Sequence, residues 1–245
     1  MNTFYQKYQV WNPSIRWFHW INFVCVLLLF LLGMLMLYKK QLGITGVEAK
    51  IALKTLHVLI GYVFVSNILI RLFFSYSGDK YLSIKAFIPG KDYVADLNRY
   101  LQSVKEGKPQ QYVGHNPLGR LAITVMYGLF LIIAVSGLIR AGTDIYYPPF
   151  GSFVSQYVAQ EGGDSSSLIP YSSVGINDAK MTQLKEFKAP IGKIHIYSAF
   201  LLIFIVILHV FKVVHSEIKE KSGLISAMFS GAKILTQKPV DLDKN

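Results

Sequence analysis

The chain has 245 residues, of which 52% are hydrophobic and 16% charged, and it carries a net charge of +11. About a quarter of the residues of an ordinary soluble domain are charged, so this composition excludes the soluble and the disordered classes. Nucleic acid is excluded as the reason for the positive charge, because the lysines and arginines sit in segments flanking apolar runs, where they report membrane orientation.

Four runs are nearly or wholly free of charge, at about 17–37, 55–70, 121–139 and 194–211. With its flanks, each approaches the ~20 residues that cross ~30 Å of hydrocarbon. Backbone polar groups in lipid must be satisfied within the segment, so each run is expected to be a helix. The expected fold is all-α: an integral membrane four-helix bundle, one domain over 1–245, with spans at about 17–38, 51–74, 120–140 and 193–215. The first run is too long for the core of a signal peptide and meets no small-residue cleavage site before Tyr38-Lys39-Lys40, so it is expected to persist as a span. The lone cysteine, Cys25, lies inside it and reads as a small buried side chain. There is no C-x-x-C-H for covalent haem attachment.

After the second span comes a segment with apolar residues at Val94, Leu97, Leu101 and Val104, which is helical spacing with a polar opposite face. It predicts a helix lying on the inner membrane surface or packing as an ordinary amphipathic helix. Gly114-His115-Asn116-Pro117-Leu118-Gly119 breaks the chain before the third span. Residues 141–190 form the expected long outer loop, with Tyr146-Tyr147-Pro148-Pro149-Phe150 suited to the interface and Gly162-Gly163-Asp164-Ser165-Ser166-Ser167 expected to be mobile. The N-terminal tail, residues 75–120 and the C-terminal tail hold fifteen lysines and arginines, against four in 38–54 and three in 141–190. This asymmetry places both termini in the cytoplasm of a multi-pass membrane protein.

Of six histidines, four lie in the spans: His19, His57, His195 and His209. Ionisable groups are costly in lipid and tend to mark function there. His195 and His209 are fourteen residues apart, which on a helix is a rise of ~21 Å with a return to within about 40° of the starting direction. His19 lies near the inner start of the first span and His209 near the inner end of the fourth. His57 and His195 both lie near outer starts. The expected pairs are therefore His19 with His209 and His57 with His195.

Zinc would need four ligands per site, and no Cys, Asp or Glu stands at these depths. Haem iron takes four nitrogens from its porphyrin and leaves two axial positions, which one histidine from each of two helices fills. The expectation is two non-covalent, bis-histidine haems b stacked across the membrane. Gly33, Gly61, Gly128 and Gly137 are candidates for the flat slots that such haems need. Arg16 and Lys212 on the inner side, and Lys193 on the outer, are candidates for the haem propionates, or else interface anchors. His115 and His215 do not fit the depth pattern.

Arg16-Trp17-Phe18-His19-Trp20, Leu56-His57-Val58-Leu59-Ile60-Gly61, Gly114-His115-Asn116-Pro117 and the His195–His209 interval resemble the di-haem cytochrome b subunits of nickel–iron hydrogenases. These lie within a superfamily that includes bacterial cytochrome b561 proteins and formate dehydrogenase membrane subunits. The resemblance covers about 10–231. It implies axial ligation by His19, His57, His195 and His209 in the bacterial inner membrane. It also implies a quinone site near the inner haem, with Asn116 beside the quinone and His115 as a proton carrier. Asn116-Pro117 also reads as a helix cap followed by proline at the first helical position.

Two axial protein ligands leave iron no open position, which favours electron transfer over catalysis at the metal. The function expected is an anchor and electron conduit between a periplasmic redox subunit or electron-carrier protein and quinone. Two alternatives are a stand-alone superoxide or ferric reductase exchanging electrons with quinone, and a haem-free structural or transport bundle.

Overall fold

The computed structural model describes residues 5–76, 81–220 and 223–242. Four long helices carry the apolar runs: α1 (Pro13–Leu37), α2 (Val47–Phe74), α4 (Pro117–Ile145) and α6 (Asp178–Glu220). All four are long and apolar enough to cross a membrane. Between them lie α3 (Tyr93–Lys105) and α5 (Gly151–Val158); β1 (Gln6–Gln9) precedes α1, and α7 (Leu224–Ser230) and β2 (Ala232–Leu235) follow α6.

Three of the long helices begin on an asparagine. The Asn12 side-chain oxygen accepts the Ile15 N–H at 3.0 Å ahead of Pro13, and the Asn116 oxygen accepts the Gly119 N–H at 2.7 Å ahead of Pro117. The Asn177 oxygen accepts the Lys180 N–H at 3.1 Å at the start of α6. An asparagine cap satisfies one of the orphan donors of the first turn, and proline at the first helical position loses no bond.

All four helices begin before the expected spans, and α4 and α6 also end after them, so the segment between α4 and α6 is shorter than 141–190. α4 runs on to Ile145, and α6 already begins at Asp178, with Pro190 inside it. The polar residues of 178–190 and the proline resemble a loop in sequence. A helix continuing beyond the apolar run needs no apolar residues, however, and the carbonyl that Pro190 leaves without a donor is tolerable outside hydrocarbon. Residues 146–177 are ordered around α5, an antiparallel bridge between Ala159 and Ile176, and a capped turn in which Asp164 accepts the Ser166 N–H at 2.8 Å. The stretch expected to be mobile contains that turn.

The predicted amphipathic helix is α3. It buries Tyr100 completely and leaves Val94, Leu101 and Val104 facing outward as an apolar stripe. Besides the helices, β1 pairs antiparallel with β2, Gln6 opposite Leu235.

The chain divides into two compact units. The first comprises residues 1–21, 67–128 and 202–245. Its core gathers Val10, Trp11, Val113, Ala227 and Leu235. Gly231, at φ +81°, closes α7, and its carbonyl accepts the Val10 and Trp11 N–H groups at 2.9 and 3.0 Å. A Cβ there would come within 2.6 Å of the Trp11 carbonyl oxygen, so the position requires glycine. The second unit comprises residues 22–66 and 129–201. It packs Val58, Ala141 and Ile145 with Tyr62 and Tyr147, and the Tyr62 hydroxyl donates to the Pro148 carbonyl at 2.6 Å.

Candidate functional site

All four span histidines are half-buried rather than lipid-exposed. On α6 they share a face: His195, Leu202 and His209 recur every seven residues, while Phe204, Ile207 and Phe211 point outward at 58–68% exposure. The same fourteen-residue interval recurs on the other two helices that carry span histidines, from His19 to Gly33 on α1 and from His57 to Arg71 on α2.

In the second unit, the His57 and His195 rings lie 6.3 Å apart between centroids at an interplanar angle of 69°. The Ser136 hydroxyl donates to the Ile132 carbonyl at 2.6 Å and lies 3.0 Å from His195 Nδ1. A hydroxyl has one proton, so its oxygen is left to accept from Nδ1–H. That tautomer leaves the lone pair on Nε2 for a metal, and orienting a ligand through its other ring nitrogen is the usual arrangement at metal centres. Gly137 lies against the same ring: a Cβ there would meet His195 Cε1 at 3.2 Å. Gly33 faces His57, whose Cε1 is 3.8 Å from an added Cβ. Gly61 and Gly128 have nothing within 4 Å, and Gly128 is exposed. Two of the four candidate slot glycines therefore adjoin histidines.

In the first unit, His209 lies within Coulombic reach of both His19 and His115. His115 packs on Trp11, ring centroids 4.7 Å apart. Burial, reinforced by the charges of Lys233, His209, Arg120 and Arg71, pushes His115 down to about 3, so it is neutral at physiological pH. Asn116 uses its oxygen as the α4 cap and donates through Nδ2 to the Tyr100 hydroxyl at 3.0 Å. The Arg16 guanidinium donates to the Phe229 carbonyl. Lys212 is half-buried and Lys193 exposed, and neither makes a hydrogen bond or ion pair among the described residues. His215 is exposed beside Phe211.

Arg71 escaped the sequence reading. It is 7% exposed, donates to the Leu82 carbonyl at 2.6 Å, and lies 5.8 and 6.0 Å from the centroids of Phe18 and Phe87. Among the described residues it has no carboxylate partner. The signal was available, since Arg71 is the lone charge between Lys54 and the end of α2, and it stands fourteen residues after His57.

Do these residues fit a haem? Among the described residues no three His, Cys, Asp or Glu side chains cluster to hold a metal by protein donors alone. His19 Nδ1 and His57 Nδ1 are buried without a hydrogen-bond partner, as are Arg16 Nε and both polar atoms of Asn22. Arg16, His19 and Asn22 form one stripe on α1 at intervals of three residues. Native proteins rarely leave so many buried polar atoms unpaired. Imidazole pairs, unpaired polar atoms and glycines beside the rings fit a porphyrin that brings its own four nitrogens.

Comparison with known proteins agrees. One relative, named "Probable Ni/Fe-hydrogenase B-type cytochrome subunit", from Rhizobium leguminosarum bv. viciae, is 22% identical over 252 aligned positions, covering 95% of this chain and 91% of the relative. A protein of the same name from Rhodobacter capsulatus is 20% identical over 232, covering 91% and 79%. A "Probable Ni/Fe-hydrogenase 1 B-type cytochrome subunit" from Escherichia coli K12 is 23% identical over 188, covering 69% and 76%. Residues 10–231 match the family described as prokaryotic cytochrome b561, which takes in all four span histidines. The chain belongs to that family and is a multi-pass membrane cytochrome of the haem b type, a protein of electron transfer.

Proposed function

We propose that the chain is a di-haem cytochrome of the bacterial inner membrane that anchors a periplasmic redox partner and passes electrons between it and the quinone pool. The partner fitting best is a hydrogenase catalytic subunit, the assembly named in the relatives. The observation that carries the reading is the sorting of four span histidines into two pairs, each pair within one compact unit and drawn from two helices.

His57 and His195 would hold one haem, and His19 and His209 the other. Haem held by these histidines would supply reversible one-electron chemistry. The protein's part is to orient and exclude. Ser136 fixes the His195 tautomer, and Gly33 and Gly137 keep side chains away from the rings. Arg16 and Lys212 would meet propionates of the His19–His209 haem, Arg71 lies on the same helix face as His57 one fourteen-residue interval on, and Lys193 serves the outer side. Quinone would bind near His115 and Asn116. Both ends of the Asn116 amide are engaged, so a quinone carbonyl would take its hydrogen bond from the neutral His115 ring.

The orientation follows from charge. The segments on the side of the two termini hold fifteen of the twenty-five lysines and arginines, and β1 pairs with β2, which keeps both ends of the chain on one side. The His57–His195 pair then faces the periplasm, together with residues 146–177.

Redox titration of variants tests the pairing. Replacing His19 or His209 with alanine should remove one spectral component, and replacing His57 or His195 the other. H19A and H195A bleaching the same component would refute the pairs. A chain that purifies from its membrane without a partner, yet reduces quinone with a small donor, would replace the anchor with a stand-alone reductase.

A further inference from the structure

Three helices each bring one cation to a single carboxylate in the second unit. Asp144, at the end of α4, has a side chain 4% exposed. Lys54 of α2 lies 2.5 Å from it, Arg140 of α4 2.6 Å and Lys188 of α6 2.8 Å. One negative charge cannot neutralise three positive ones. The residual charge of +2 sits on side chains only 19–31% exposed, at the ends of apolar helices. Uncompensated charge on side chains so little exposed is costly, and an anion would relieve it.

The placement says which anion. Lys54 stands one turn before His57 on the same face of α2, and Lys188 stands two turns before His195 on α6. Arg140 stands one turn after Ser136 and Gly137, the residues that touch the His195 ring. A Cβ at Gly192 would land on the Arg140 guanidinium, so α6 holds that side chain in position. The Lys54 and Arg140 charges reach both histidines. A second, independent feature lies beside the cluster: Thr143 is 5% exposed, and its hydroxyl is buried without a hydrogen-bond partner.

We propose that Lys54, Arg140 and Lys188 bind the two propionate carboxylates of the haem held by His57 and His195, with the Thr143 hydroxyl donating to one of them. Haem b carries two carboxylates on one edge, and their combined charge of −2 matches the excess of the cluster. Asp144 then acts as a spacer that holds the three cations together. The proposal rests on the di-haem reading and extends it to residues that the spacing of the histidines does not reveal.

The test uses the full chain in mild detergent, with K54M, K188M, the double variant K54M/K188M, and the charge-preserving K54R and K188R as folding controls. Haem per chain, both midpoint potentials and the propionate bending band in the resonance Raman spectrum are measured. Removing a cation disfavours the reduced haem. The expected result is two haems per chain, a midpoint potential of the His57–His195 component that falls in each methionine variant and furthest in the double, a shifted propionate band, and an unmoved second component. D144N should raise the same potential. Two haems with both potentials and the Raman band unmoved would overturn the assignment, leaving the cluster as a tie between helices. The same spectra with loss of co-purifying phospholipid would overturn it in favour of a lipid phosphate. A wild-type chain with fewer than two haems would instead refute the di-haem reading beneath it.

Discussion

Ser136 shows how much one hydroxyl decides. It is 5% exposed; its O–H goes to the Ile132 carbonyl and its lone pair meets His195 Nδ1. In S136A the imidazole keeps its place beside Gly137 and its bond to the Ile133 backbone but loses the hydroxyl at Nδ1. Outer partners of this kind are worth about 10- to 100-fold in metal affinity. S136A should therefore lose one haem about 10- to 100-fold more readily on dilution, and its low-spin EPR signal should broaden, while S136T, which keeps the acceptor, should behave as wild type. His115 poses the opposite problem, a titratable group held neutral. Its folded value of about 3 lies below the ordinary 6.5, so the unfolded chain binds the extra proton between those limits. Its contribution to stability is complete above about 6.5 and is lost as pH falls towards 3. Thermal melts of wild type should consequently drop more steeply than those of H115N between pH 6.5 and 4; parallel slopes would show that His115 is not held neutral.

At the scale of elements, the sequence was most legible where a single physical demand ruled. Lipid requires long apolar helices, and the four spans were readable on that ground alone, as was the amphipathic α3 from Val94, Leu97, Leu101 and Val104. Boundaries were less legible, because a helix that has left hydrocarbon no longer advertises itself: residues 178–190 of α6 look like loop, and the signal there was the Asn177 cap rather than the polar run or Pro190. β1 and β2 were not legible at all, since four-residue strands at opposite ends of a chain take their stability from the partner and not from their own pattern. The shared face of His195 and His209 on α6 could be read because α-helical geometry converts spacing into direction; the Asp144 cluster could not, because it joins residues 54, 140, 144 and 188 through packing. Asn116 could be read in two ways, as cap and as quinone neighbour, and the two separate experimentally. The cap bond to Gly119 predicts that N116A loses about 1 kcal/mol of stability, while N116D, an equally good cap, loses little. If quinone turnover falls in N116D at unchanged melting temperature, Asn116 serves the quinone as well as α4.

At the scale of the whole chain, the C-terminal segment acts back on the middle of the sequence. The Asp241 carboxylate accepts the N–H groups of Val113 and Gly114 at 2.7 and 2.8 Å. Lys233 is 4% exposed, donates to the Gly114 carbonyl at 2.7 Å, and sits 5.3 Å from the Trp11 ring on which His115 packs. Both residues, and both strands, lie outside the 10–231 stretch that matches the family. The clasp holds the His115 segment from beyond the stretch that matches the family. Deleting residues 232–245 removes β2, Lys233 and Asp241 together but touches none of the four span histidines. Two strands alone are marginal in water, so β1 should not hold its place without β2. On the proposed di-haem reading, the truncated protein should retain its haem content and midpoint potentials, because the four span histidines lie on α1, α2 and α6. Its quinone reduction should fail through a raised KM, since the backbone at 113–114 loses the partners that hold it and His115 loses the support of Trp11 and Lys233. Haem content by pyridine haemochrome and steady-state reduction of a soluble quinone analogue measure the two halves. A truncated chain with unchanged KM would place the quinone away from His115, and one that lost haem would show the clasp supporting the bundle itself.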